Sequence, residues 1–196
     1  DRHYYFKNGR YLKIGLTFID SGGHFTQEVY EQCRIRQPKR VFAIKGKGGE
    51  NVPYISTKPS QVVINGNSNR KAWLYIIGVD AGKTAIMSNL KVETPGASFC
   101  HFPRGQERGY DIYYFNGLLS EKLVLNKTKT GNRWVWEKIP GHQRNEALDC
   151  RNYANAAFRV WNPDLNSIFE KLKNPKPKQT APTLPRKKRV NKSYST

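Results

Sequence analysis

The sequence predicts an α/β layered fold with a basic tail, and three observations carry that expectation. Apolar, β-branched runs at Leu12–Ile19, Arg40–Ile44 and Ala72–Ile77 read as buried strands. Segments of helical spacing lie between and after them. The final stretch, from Lys173 on, is rich in Lys and Pro and too polar to pack a core.

Leu12–Ile19 runs into the turn residues Asp20-Ser21-Gly22-Gly23. His24–Arg36 then has helical spacing, with Phe25, Val29 and Cys33 on one face. The second strand leads into a Gly- and Lys-rich loop, Lys45–Glu50, and residues 51–70 are expected to be a polar surface excursion. After the third strand, Ala81–Leu90 reads as a short helix capped by Asp80. Residues 95–117 read as irregular, Leu118–Leu125 as helical and Arg133–Ile139 as a strand with one wet face. Arg144–Trp161 is the clearest helix, its expected buried stripe being Ala147, Cys150, Ala154, Ala157 and Trp161. Residues 1–170 are expected to form one domain and 171–196 a flexible basic tail.

Charge narrows the function. The 196 residues carry a net charge of +19, and the segment from Lys171 holds nine Lys or Arg with no Asp or Glu, leaving +10 on the first 170 residues. A basic surface of that size points to a polyanion, nucleic acid first. Three cysteines without a CxxC pair argue against a zinc ribbon or a disulfide framework and suit a reducing cytosol. Cys100-His101 is more readily structural than metal-binding. No apolar run nears the ~18 residues of a membrane span, and no signal peptide opens the chain, so the Asn126-Lys127-Thr128 sequon carries little weight.

Two carboxylates invite a catalytic reading. Asp20 sits where a strand ends, before two glycines that let a ligand approach, and ligands gather at the carboxyl ends of strands in open α/β sheets. It can equally cap the following helix. Asp149 lies beside the small-residue stripe of the last helix, with Glu146 three residues earlier and Tyr153 four later on neighbouring surface. A carboxylate there needs a partner, either a cation such as Mg²⁺ or Mn²⁺ or a salt bridge to Arg144 or Arg151. Gly78–Thr84 resembles a phosphate-binding loop but lacks the first glycine, since Ile77 stands in its place. That leaves Asp80 as a cap with a secondary role near a metal, and Lys83 as a phosphate contact. Lys45 and Lys47, among glycines, are candidate backbone-phosphate contacts. His24 is placed for a general base, but no nucleophile accompanies it.

Three blocks in this order carry a family resemblance: FIDSGGHFTQEVYEQCR with RVFAIKG, then IIGVDAGKTAIMSNL, then HFP with RNEALDCRNYANAA. The chain resembles, over roughly residues 12–161, the nuclease domain of the large terminase subunit of tailed phages, of the lambda type. The resemblance implies an RNase H-like mixed sheet flanked by helices, and a metal-dependent endonuclease that cuts concatemeric double-stranded DNA during packaging. It implies two Mg²⁺ or Mn²⁺ ions held by acids, with Asp20 and Asp149 matching two of those acids. The family's first strand, which carries another acid, has no counterpart in DRHYYFKNGRYLK, so the domain is expected to be truncated there. The alternative that this leaves is a DNA-binding fragment of the packaging motor that no longer cuts. The implied partners are double-stranded DNA, the terminase small subunit and the capsid portal, and the implied location is the host bacterial cytoplasm. PRKKRV in the tail matches a nuclear localisation pattern by chance.

Overall fold

The computed structural model describes residues 3–7, 9–56, 58–104, 106–128, 131–142 and 144–173. The chain divides into two compact units, Asp1–Asn162 and Pro163–Thr196. The expected basic tail lies outside the described residues from 174 onward.

The first unit is built on a mixed four-stranded sheet. Strands β1 (His3–Tyr5) and β2 (Tyr11–Lys13) form an antiparallel hairpin apart from it. The sheet itself begins with β3 (Thr17–Asp20), which leads through helix α1 (Thr26–Arg36) to β4 (Val41–Lys47). Then come β5 (Ser60–Ile64) and β6 (Asn67–Gly78), in the order β3-β4-β6-β5. β3 and β6 both run parallel to β4, while β5 is antiparallel to β6. Helix α2 (Val79–Leu90) follows directly, then α3 (Ile112–Leu118), the antiparallel ribbon β7 (Glu121–Thr128) and β8 (Gly131–Lys138), and the long helix α4 (Glu146–Trp161). The second unit contributes helix α5 (Leu165–Lys173), which sequence reading had assigned no structure.

Period-two alternation along the strands divides the core. Ala43, Ala72 and Leu74 point to one face and pack with Ile64 against Tyr30 and Cys33 of α1. Ile44 and Ile77 point to the other and meet Ala156 of α4, with Phe18 packed alongside. Ile86, Leu118 and Leu148 close a third cluster among α2, α3 and α4. Burial in the first cluster pushes the Cys33 thiol up to about 11, as expected of an inert core cysteine.

The mixed sheet with flanking helices agrees with the expected architecture, but several elements differ. Residues 51–70 are no loop excursion, because they hold β5 and the start of β6, joined at Asn65-Gly66. Both turn residues have positive φ, 48° and 70°, the conformation that favours Asn-Gly in tight hairpins. Leu118–Leu125 is not helical: α3 ends at Leu118, where the Ser120 hydroxyl donates to the Gly117 carbonyl, and β7 begins at once. Its spacing satisfied a helix, yet Leu123 and Leu125 face Trp136 and Trp134 across a ribbon. Asp80 is not the cap of α2. Gly78 holds that position, and the Asp80 carboxylate accepts instead from the Gly49 amide at 2.8 Å.

The buried face of α4 also differs. Leu148, Asn152, Ala156 and Ala157 are buried, whereas Cys150 and Ala154 are exposed. Two bonds hold Asn152 there: its side-chain Nδ2 donates to the Val79 carbonyl at 3.0 Å, and Tyr54 donates to its backbone carbonyl at 2.8 Å. A Cβ at Gly82 would overlap Asn152 Oδ1 and the Tyr54 ring, so α2 and α4 cross as closely as they do because residue 82 has no side chain. Gly82→Ala should cost about 1–3 kcal/mol, the usual price of overpacking. Urea denaturation measures it, and an unchanged midpoint would mean the two helices are not locked at this contact.

Candidate functional site: two carboxylates at the end of a parallel sheet

Asp20 ends β3, and alternation from Phe18 places it on the face that α4 covers. The turn after it is held on both sides. Ser21, nearly fully buried, donates from its amide and its hydroxyl to the Ile44 carbonyl at 2.9 and 2.7 Å. The Thr26 hydroxyl, at the start of α1, donates within the Ser21–Gly23 turn. Asp20 itself accepts from the Gly22 amide at 2.9 Å. Its carboxylate is thus aimed by the backbone and remains exposed.

Asp149 comes to the same place from α4. With Asp20, Lys45, Lys83 and Tyr153 it lines a cleft of about 390 Å³. Tyr153, one turn after Asp149, donates its hydroxyl to Asp20 at 3.4 Å and so spans the two acids. That reach depends on Gly46, whose added Cβ would stand 3.1 Å from the Tyr153 hydroxyl. Burial, followed by the charges of Asp20 and Asp149, drives the Tyr153 phenol far above its ordinary range, so it stays a proton donor.

Glu121, which no sequence pattern singled out, is the third acid nearby. It starts β7, is 7% exposed, and receives Lys83 Nζ at 2.6 Å and Asn145 Nδ2 at 2.8 Å. The same Asn145 amide donates to Asp149 at 3.0 Å, and Lys83 Nζ lies 3.9 Å from Asp149. Lys83 is therefore a nearly buried cation between two carboxylates, at 10% side-chain exposure, as well as a lining residue of the cleft.

The other sequence-derived candidates are placed as follows. Lys45 and Lys47 project near the end of β4, both exposed, and only Lys45 lines the cleft. Asp80 stands next door, beyond Gly48, in a separate pocket with the glycine loop and β8. Glu146 lines an apolar groove that runs along β3 and α4, together with Asp20 and Asp149. His24 is exposed, beyond the Ser21–Gly23 turn. Among the described residues, no group of three or more His, Cys, Asp or Glu side chains is spaced to hold a metal ion. No described helix is long and apolar enough to cross a membrane.

Burial raises the Asp149 carboxyl above the ordinary aspartate range; Lys83 opposes the rise, while Glu121 and Asp20 add to it. An acid raised in this way favours the folded state while protonated. That contribution is full below the ordinary pKa of about 3.9 and is lost as pH rises through the raised value. Asp149→Asn, neutral throughout, should therefore be more stable than the parent at pH 7. The advantage should shrink as pH falls through the raised value and be gone below about 4. Urea titrations at the two pH values measure this, and an advantage independent of pH would contradict the electrostatic cause.

Two comparisons bear on what this arrangement is. The terminase large subunit of Escherichia phage lambda is 28% identical over 174 residues, covering 85% of this chain and 26% of that protein. The terminase large subunit of Enterobacteria phage P21 is 28% identical over 193 residues, covering 94% of this chain and 28% of that protein. The chain thus spans about a quarter of the length of these relatives. No solved structure matches it. The family model described as "Terminase large subunit gpA, endonuclease domain" matches residues 1–168, and the chain belongs to that family.

Proposed function

We propose that this chain is the endonuclease module of a viral DNA-packaging terminase, hydrolysing phosphodiester bonds in concatemeric double-stranded DNA. The observation that carries the reading is the meeting of Asp20 and Asp149 in one cleft at the carboxyl end of parallel strands, with Lys45 on its rim. An acid on a strand end facing an acid on the closing helix also supports an RNase H-like architecture.

The donor chemistry fits a hard divalent cation. Both groups are carboxylates, and the desolvation and mutual repulsion that raise Asp149 are relieved by a positive ion. Mg²⁺ commonly takes one or two protein carboxylates, with substrate phosphate oxygens completing its shell. Asp20 and Asp149 would hold Mg²⁺ or Mn²⁺, one ion or the two that the family resemblance implies. The ion would supply an activated water and neutralise charge on the phosphate.

The protein's own groups do the rest. Tyr153, kept protonated, fixes the Asp20 carboxylate by its hydrogen bond. Asn145 fixes Asp149 from the other side. Lys83 compensates the buried charge of Glu121, so that Asp149 does not face it alone. Lys45 and Lys47 offer phosphate contacts, which bind without reading sequence. Asp80 is one layer removed and positions the glycine loop through Gly49. Double-stranded DNA, the terminase small subunit and the capsid portal follow as partners of the whole protein in the host cytoplasm.

A second reading, a DNA-binding fragment that does not cut, rests on there being, among the described residues, no group of three or more His, Cys, Asp or Glu side chains spaced to hold a metal ion. Plasmid nicking separates the two. The nuclease reading expects cleavage with Mn²⁺ or Mg²⁺, none in EDTA, and loss in both Asp20→Asn and Asp149→Asn with DNA affinity nearly unchanged. Cleavage surviving both substitutions would end it. Binding without metal-dependent nicking would establish the second reading. Metal should also stabilise the parent protein by about 2.7 kcal/mol at a hundredfold excess over its dissociation constant. Thermal melting of the parent beside Asp149→Asn, which should gain far less, checks this.

A further inference from the structure

The β7–β8 ribbon starts beside the cleft, since its first residue is Glu121, which pairs with the cleft residue Lys83. The register pairs Glu121 with Lys138, Leu123 with Trp136 and Leu125 with Trp134, so these six side chains share one face. Leu123, Leu125 and Trp134 on that face are 41%, 41% and 50% exposed. An apolar ladder this open is unusual on a strand pair without a covering layer. Beside it, a pocket of about 460 Å³ opens between β8 and the glycine loop, lined by Trp134, Trp136, Arg133, Gly48 and Asp80. That size lies within the range of about 300–1,000 Å³ usual for small-ligand sites.

The pocket adjoins the acid cleft directly, because Gly48 lines both. It is also braced. The Glu50 carboxylate accepts from the Trp134 amide at 2.6 Å, and Asp80 accepts from the Gly49 amide at 2.8 Å. The loop, the start of α2 and the ribbon are thereby tied together, while the Trp134 indole stays half in solvent. Lys122, Lys127 and Arg133 supply positive charge along the ribbon.

We infer that this pocket and ladder form a stacking platform for unpaired nucleotides next to the scissile phosphate, with a base seated on the Trp134 ring. Intact duplex offers phosphates outward and hides the faces of its bases. An exposed indole flanked by leucines suits the opposite presentation, a base face with its phosphate turned to Lys127 on the same face. Stacking of this kind tolerates any sequence, since every base has a π-face. The inference takes the location of the scissile phosphate from the nuclease reading, but the stacking itself does not require cleavage.

The test uses the full chain in EDTA, so that nothing is cut, and oligonucleotides carrying 2-aminopurine, whose fluorescence is quenched by stacking. A single-stranded oligonucleotide should be quenched on binding. Trp134→Ala should lose most of the quench and about tenfold in affinity, whereas Trp134→Phe should keep most of both. Affinity for fully paired duplex should change less than twofold. The Trp134 contact to Glu50 is made by the backbone, so the alanine variant keeps the brace, and its melting curve verifies this. Unchanged single-strand binding in Trp134→Ala would overturn the proposal. An equal loss for duplex would do so too, marking the ribbon as a duplex contact. A parent protein that never nicks DNA but shows the Trp134-dependent quench would retain the platform and sink the nuclease reading alone.

Discussion

Everything at the site depends on how α4 is pressed against α2 and the sheet. The contact is made by a polar residue, Asn152, which would be expensive to bury unbonded. Its side-chain Nδ2 donates to the Val79 carbonyl, at the first residue of α2, and its backbone carbonyl accepts from the Tyr54 hydroxyl. Gly82 supplies the space. Hydrophobic burial around Leu148 and Ala156 gives most of the attraction, but it is non-directional. The amide bonds fix rotation and register, and with them the projections of Asp149 and Tyr153, three residues before Asn152 and one after it.

Around that crossing the protein manages an excess of negative charge inside a basic molecule. Asp20, Asp149 and Glu121 converge while Lys83 is the cation buried among them. Breaking a buried pair by removing one partner costs far more than the pair contributes, since a charge is left stranded. Glu121 is neutralised by Lys83 and Asn145 and serves as structure. Asp149 is left with a weaker share of Lys83, at 3.9 Å, and its charge is only partly compensated. That residual deficit of positive charge is what the proposed divalent cation would relieve, and the net positive charge of the chain suits the proposed polyanion.

Much of the sheet was legible because parallel strands buried on both faces read as unbroken apolar runs. Arg40–Ile44 and Ala72–Ile77 are such runs, and α1 and α4 have clear helical spacing. Asp20 stood out by its place before two glycines, and Asp149 by its awkwardness beside small residues. Other features needed information that local sequence does not hold. LLSEKLVL fits either period, and only Trp134 and Trp136 across the ribbon decide it. Glu121 has no distinguishing neighbours, since its role comes from Lys83, far away in the chain. Asn152 lay outside the expected buried stripe, since its partners, Val79 at the start of α2 and Tyr54 before β5, are far away in the chain. The β5–β6 turn was different: Asn65-Gly66 is a hairpin signal, but the polar residues Asn67–Lys71 made the whole of 51–70 read as a surface excursion.

The chain order of these parts has a consequence in time. The sheet is complete at Gly78, whereas α4 ends at Trp161 and is the last element of its unit. A chain emerging from the ribosome at about 5–20 residues per second can pair all four sheet strands on the order of ten seconds before the last helix is available. During that interval the Asp20 carboxylate is in place, and its partner does not yet exist. The pairing of the two acids is thus tied to the arrival of α4, the last element of its unit.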